Sequence, residues 1–165
     1  MFSMDNLICV TNRRLCSGDF FERIREIGLY GPWGIILREK DLPAGEYLEL
    51  AREVLEICRE VPVKCILHSH PDVAEALGCG ALHMPLHLLR EMKEEERARF
   101  SVLGASCHSV NDALEAEALG CTYITAGHIF DTDCKAGLPG RGLSFLTEVR
   151  QAVNIPVYAI GGISA

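Results

Sequence analysis

Residues 122–153 read TYITAGHIFDTDCKAGLPGRGLSFLTEVRQAV, which is an apolar run, a glycine-rich loop and a helical run in succession. The run at 122–126 has the length of a buried strand, and the spacing at 143–153 indicates a helix. The loop at 127–142 therefore leaves the carboxyl end of a strand, where α/β folds place their functional groups. We expect it to be the active-site loop.

This loop carries groups suited to proton transfer and to anion binding. His128 has the type of side chain that changes charge nearest to neutral pH. Thr132, Lys135 and Arg141 offer a hydroxyl group and two positive charges. Four glycines let the backbone approach a ligand closely. An ordinary polar turn is the alternative interpretation of Thr132 and Lys135.

Strand-like and helix-like runs alternate along the whole chain. Strands are predicted at residues 7–11, 35–37, 63–67, 81–84, 101–105, 122–126 and 157–160. Helices are predicted at residues 20–27, 41–59, 71–77, 88–97, 109–119 and 143–153, with Ser109 and Asp112 as an S-x-x-D capping box. Because parallel strands need helical crossovers, the alternation predicts an α/β fold with a parallel sheet.

A TIM (β/α)8-type barrel is the expected form of this sheet. A doubly wound open sheet is the alternative, but no G-x-G-x-x-G motif follows the first strand. Only about seven strand–helix units are present, so we expect a single barrel domain over residues 1–165 that stops before the eighth strand. Since an open barrel exposes strand edges that pair with other chains, we also expect a homo-oligomer.

Composition excludes several classes of protein. The 165 residues are 48% hydrophobic, which is enough for one core. A net charge of −7 argues against nucleic-acid binding, because phosphate backbones require a basic surface. No apolar run approaches the roughly 20 residues of a membrane-spanning helix, and the first ten residues do not resemble a signal peptide. We therefore expect a cytoplasmic protein without membrane contact.

In a barrel, the carboxyl ends of all strands open into one mouth. The polar groups expected there are Thr11, Arg38, Lys40, His68, His70, His83, His87, Ser106, His108, His128 and the amides of Gly161 and Gly162. Alternation along an extended segment puts Arg38 and Lys40 on the same side, where they suit a phosphate or a carboxylate. A solvated charge cluster is the alternative.

Two further groups at the mouth have competing interpretations. Gly161 and Gly162 resemble half of the phosphate cup that barrels build after strands seven and eight, or they form a plain turn. Alternation would aim His68 and His70 to one side, as metal ligands require. Because few carboxylates are well placed to join them, we expect no metal.

Several segments carry a family resemblance. They are LREKD at 37–41, GASCH at 104–108, YITAGHIFDTDCK at 123–135, GRG at 140–142 and IPVYAIGGIS at 155–164. Together they resemble the thiamin phosphate synthase/TenI superfamily of TIM barrels, and most closely its TenI branch of thiazole tautomerases. This resemblance covers the chain up to the seventh strand.

The synthase branch of this family couples a pyrimidine pyrophosphate to thiazole phosphate, using Mg²⁺ held by carboxylates. Here Ile36 stands at its strand-two glutamine, His68 and Ser69 stand at its Asn-Asp pair, and residues 85–88 contain no acid. These departures favour the tautomerase branch, so no cofactor is expected, and Mg²⁺ only if the protein is a synthase. A thiamin phosphate synthase and a non-catalytic ligand-binding regulator stay as alternatives.

The resemblance also implies roles for individual residues. The substrate would be a carboxylated thiazole phosphate, which the enzyme converts into its aromatic form by moving a proton. His128 would be the catalytic acid and base, and Arg38 with Lys40 would hold an anionic end of the substrate. The remaining substrate-binding positions would be Ser106, Thr132, Lys135, Gly161 and Gly162.

Overall fold

A computed structural model describes residues 4–132 and 137–163, apart from the side chain of Asp5. This part of the chain divides into two compact units between His83 and Met84. Lys135, predicted to bind substrate, lies outside the described residues. The single domain predicted for residues 1–165 stays a prediction.

The first unit is built from parallel strands joined by helices. Its elements are β1 (Ile8–Val10), α1 (Phe20–Leu29), β2 (Gly34–Leu37), α2 (Ala44–Glu60), β3 (Cys65–His68), α3 (Pro71–Ala76) and β4 (Ala81–Pro85), whose last two residues follow the division. β2 pairs with both β1 and β3, and β3 pairs with β4, with His68 opposite His83. The strands therefore lie in chain order.

The core of this unit lies between α2 and the strands. Every residue of β2 and β3 is buried, as expected for strands covered on both faces. Tyr47 of α2 joins the two strands at their carboxyl ends. Its hydroxyl group donates to the Leu37 carbonyl at 2.7 Å and accepts from the His68 amide at 2.9 Å.

The second unit repeats the same plan. It contains α4 (Leu86–Glu91), α5 (Glu94–Arg97), β5 (Val102–Cys107), α6 (Val110–Ala118), β6 (Tyr123–Gly127), α7 (Gly142–Ala152) and β7 (Val157–Ile160). β6 pairs in parallel with β5 and β7. A side chain at Gly104 would lie 2.2 Å from the Tyr123 ring, so glycine is required where that ring crosses β5.

The predicted strands and helices are confirmed in type, with one helix divided in two. The run at 88–97 forms α4 and α5, because Met92 has extended torsion angles. Lys93 begins a new helix by donating its amide to Glu96 Oε2 at 2.8 Å. Over the part of the chain that the structure describes, no helix is long and apolar enough to cross a membrane.

The bridging role of Tyr47 can be tested by Tyr47→Phe. This change leaves a buried carbonyl and a buried amide without their hydroxyl partner, so it should lower the free energy of unfolding by about 1–3 kcal/mol in urea titration. Tyr30→Phe is the matched control, because that side chain is 74% exposed. Equal stability of the two variants would contradict the bridge.

Candidate active site

At the carboxyl ends of β1 and β2, a buried carboxylate organises the backbone. Glu39 is 3% exposed and accepts a hydrogen bond from Thr11 Oγ1 at 2.7 Å. The same hydroxyl group accepts from the Arg38 amide at 3.0 Å. Thr11 was expected among the groups of the mouth, but both hydrogen bonds assign it to holding the two strand ends together.

Arg13 completes the surroundings of this carboxylate. Its amide donates to both oxygens of Glu39, at 3.0 and 3.2 Å, and its guanidinium group donates to Oε2 at 3.0 Å. The guanidinium group also contacts both oxygens of Asp41 at 2.7 Å. This hydrogen-bonded pair lowers the pKa of Asp41 to about 2. The positive charge of Arg13 is therefore balanced within the cluster.

Arg38 and Lys40 flank Glu39 in the sequence. Glu39 points toward Thr11, and the regular alternation of the strand ends here, because β2 stops at Leu37 and Lys40 lies in a turn. Both charges are close enough to His68 to lower its pKa. Arg38 and Lys40 therefore both act on the histidine at the end of β3, and their shared face stays a prediction. Glu39 was not among the predicted site residues, although it stands between Arg38 and Lys40 in the sequence.

His68 and His83 form a buried pair of imidazoles. They are 5% and 2% exposed, and their rings stack with centroids 5.8 Å apart. Burial lowers the pKa of each to about 3, and for His68 the neighbouring His83 and positive charges add to the effect. Both rings are therefore neutral at neutral pH.

His70 does not continue the pattern of His68. Ser69 has a φ of 64°, which ends the extended segment, and the His70 ring lies 4.4 Å from the Tyr47 ring instead. His87 is exposed on α4. Among residues 4–132 and 137–163, no group of three or more His, Cys, Asp or Glu side chains is arranged to hold a metal ion.

In the second unit, the end of β6 presents His128. The residue is buried, and its Nε2 lies 3.1 Å from the Leu138 carbonyl oxygen. Because a carbonyl can only accept, Nε2 carries the hydrogen and neutral His128 keeps its lone pair on Nδ1. No described residue forms a hydrogen bond with Nδ1. The ring therefore has a hydrogen-bonded N–H group at Nε2 and a basic lone pair at Nδ1.

The second half of the loop folds back over this histidine. Arg141 donates its amide to the His128 carbonyl at 3.0 Å, and Gly142 donates to the Ile129 carbonyl at 2.8 Å. The Gly140 amide donates to Asp131 Oδ1 at 2.7 Å. These bonds bring the Leu138 carbonyl to the imidazole. The glycine-rich loop thus forms part of the environment of His128, as the sequence predicts.

Gly161 and Gly162 pack directly against the same segment. A Cβ atom on Gly161 would lie 2.4 Å from His128 Cβ, and one on Gly162 would lie 2.4 Å from the Asp131 carbonyl oxygen. Both residues also have positive φ angles, of 100° and 67°. Close packing therefore accounts for both glycines without a ligand. Phosphate binding by their amides stays a prediction.

The other predicted binding residues of this unit are placed less tightly. Ser106 is half-buried on β5 opposite Thr125, and Thr132 is half-buried beside Asp131. His108 was predicted only as one of the groups of the mouth, and its Nδ1 lies 2.9 Å from the Gly127 carbonyl oxygen. Its position directly after β5 was visible in the sequence, but its partner on β6 was not.

The known proteins to which this chain is similar carry closely related names. The profile of the family described as Thiamine monophosphate synthase (TMP-TENI) matches residues 7–165. A thiamine-phosphate synthase of Clostridium tetani is 30% identical over 96% of this chain and 77% of its own length. A protein of Aquifex aeolicus named putative thiamine-phosphate synthase 2 is 32% identical over 98% of this chain and 87% of its own length.

A solved structure agrees with these relatives. Thiamine phosphate pyrophosphorylase from Pyrococcus furiosus is 32% identical and superposes with a TM-score of 0.79, over 98% of this chain and 77% of that one. The TIM-type (β/α) barrel class with seven parallel strands, predicted from the alternation of strands and helices, is thereby confirmed. The names of the relatives favour the synthase alternative over the tautomerase.

The buried histidine pair predicts a pH dependence of stability. In the unfolded chain each imidazole titrates near pH 6.5, whereas the folded pKa values are about 3. The unfolded state therefore binds more protons between these values, and stability falls as the pH is lowered through this window. From pH 7 to pH 5 the loss should be about 2 kcal/mol for each histidine.

Urea titration of the free energy of unfolding at pH 7, 6 and 5 measures this loss. His83→Gln should remove about half of the pH dependence, whereas His87→Gln, at an exposed position, should leave it unchanged. A wild-type stability that is flat across this range would show that the pair is not buried in the neutral form.

Proposed function

Because this chain belongs to the thiamine monophosphate synthase (TMP-TENI) family, we propose that it is a thiamin-biosynthesis enzyme that acts on a thiazole phosphate. Within the family we propose the thiazole tautomerase reaction, in which a carboxylated thiazole phosphate becomes aromatic. The observation that carries this proposal is the hydrogen bond between His128 Nε2 and the Leu138 carbonyl. It leaves Nδ1 as a base in a buried position.

The proposed reaction uses one imidazole twice. Nδ1 of His128 removes the proton from ring carbon C2, and the electron pair moves through the ring toward the exocyclic carbon. The imidazolium then returns a proton to that exocyclic carbon, which restores neutral His128. The Leu138 carbonyl accepts from Nε2 throughout and stabilises the positive charge between the two steps.

Binding of the anionic groups is assigned by family resemblance. On the ground of the resemblance alone, Arg38 and Lys40 are proposed to hold the substrate carboxylate. On the same ground, Ser106, Thr132, Lys135 and the amides of Gly161 and Gly162 are proposed as the remaining substrate-binding groups. No resident cofactor takes part in a proton transfer of this kind.

Thiamin phosphate synthase activity is the second candidate, and the names of the relatives favour it. That reaction uses Mg²⁺ held by carboxylates. At the corresponding positions the Ser69 hydroxyl group lies 2.7 Å from His68 Nδ1, and Leu86 is buried. These residues do not fit a Mg²⁺ site, because they offer no carboxylate oxygen. We therefore place the tautomerase first.

His128→Gln tests the proposed base. The glutamine amide can still donate to the Leu138 carbonyl, so the loop should keep its conformation, but the side chain cannot accept a proton. The rate of aromatisation, followed by ultraviolet absorbance, should fall by about 10² to 10⁴.

Two outcomes would contradict this assignment. Near-wild-type turnover by His128→Gln would remove His128 from the mechanism. A wild-type protein that is inactive on the thiazole, yet releases pyrophosphate from the pyrimidine substrate with thiazole phosphate and Mg²⁺, would establish the synthase instead.

A further inference from the structure

We propose that His108 is a positioning residue for His128, because it holds the peptide group that precedes the catalytic imidazole. The inference rests on the proposed function of His128. It adds a residue on a different strand to the proton-transfer site.

The contact between the two strand ends is specific. His108 follows β5 directly, and its Nδ1 lies 2.9 Å from the carbonyl oxygen of Gly127, the last residue of β6. The carbonyl can only accept, so Nδ1 of His108 carries the hydrogen. A side chain directly after β5 thus fixes the peptide group that joins Gly127 to His128.

His108 is itself anchored to the start of α6. Its amide donates to Asp112 Oδ2 at 2.8 Å, and the Asp112 amide donates to Ser109 Oγ at 3.0 Å. The sequence predicts a capping box between Ser109 and Asp112, but the carboxylate bonds one residue earlier than that motif requires. The displaced bond holds the backbone of His108. Because His108 is exposed, core packing does not explain its position.

His128 is then held from several sides. Leu138 accepts from its ring, Arg141 donates to its carbonyl, and Gly161 packs against its Cβ. His108 adds a side-chain hydrogen bond to the preceding peptide, whose Gly127 also pairs with Ile160 of β7. Without it, that peptide could rotate, and the imidazole would leave the Leu138 carbonyl for part of the time. Nδ1 would then be aimed less accurately at the substrate carbon.

Loss of the hydrogen bond between His108 and Gly127 should lower kcat and leave KM nearly unchanged, because the proposed anion-binding residues are still present. His108→Phe removes the donor while keeping an aromatic ring, and kcat should fall about 10- to 100-fold with KM within about twofold. His108→Asn is the matched variant, because its amide nitrogen can donate from nearly the position of Nδ1. It should recover most of the lost kcat.

A second readout does not depend on turnover. In ¹⁵N-labelled protein, the NMR signals of the His128 ring should show hydrogen on Nε2 in the wild type and in His108→Asn. In His108→Phe they should shift toward a mixture of the two tautomers. His108→Ala replaces this variant if phenylalanine prevents folding.

Two results would overturn the proposed role of His108, and a third would refute only the proposed function of His128. A His108→Phe variant with wild-type kcat and wild-type His128 signals would overturn it. A lower melting temperature without a change in the His128 signals would also overturn it, since His108 would then be purely structural. A wild-type protein without tautomerase activity would refute the proposed function, while the NMR comparison would still test the contact.

Discussion

Buried polar groups at the carboxyl ends of parallel strands must find partners inside the protein, and the candidate site follows from how they do so. Where a strand stops, its last carbonyl and amide groups lose the neighbouring ladder while they are still shielded from water. Tyr47 supplies both partners between β2 and β3, and His108 supplies one at the end of β6. Loop amides from Arg141 and Gly142 satisfy the carbonyls that follow. The residues around the proposed chemistry are therefore mostly structural.

This requirement determines which side chains stay available for a ligand. The Thr11 hydroxyl group and the Glu39 carboxylate are used between β1 and β2, and Arg13 neutralises Glu39. The same hydroxyl group also accepts from the Arg38 amide, which fixes the backbone at that residue. In the second unit, one nitrogen of His128 is engaged by the Leu138 carbonyl, and none of residues 4–132 and 137–163 forms a hydrogen bond with the other. A buried imidazole with one hydrogen-bonded nitrogen is the consequence of satisfying the backbone first.

Membership of the family does not by itself determine the reaction, because one barrel can carry different chemistry at its strand ends. The relatives are named as synthases at 30–32% identity. In this chain, however, the positions that would hold Mg²⁺ carry His68, Ser69 and residues 85–88, none of which is a carboxylate. His68 forms a buried neutral pair with His83. A proton transfer does not need carboxylates at these positions, whereas a Mg²⁺-dependent pyrophosphate transfer does.

Local patterns were sufficient for the secondary structure and for the position of the glycine-rich loop after β6, because period and glycine content reflect short-range constraints. The common face of Arg38 and Lys40 stays a prediction of these patterns. The roles of Thr11 and His108 could not be read in this way, since their partners lie 28 and 19 residues away. Ser69 broke the alternation expected for His70, and Gly161 proved to pack on His128. Such features depend on which segments meet in space, and a one-dimensional pattern carries no information about that meeting.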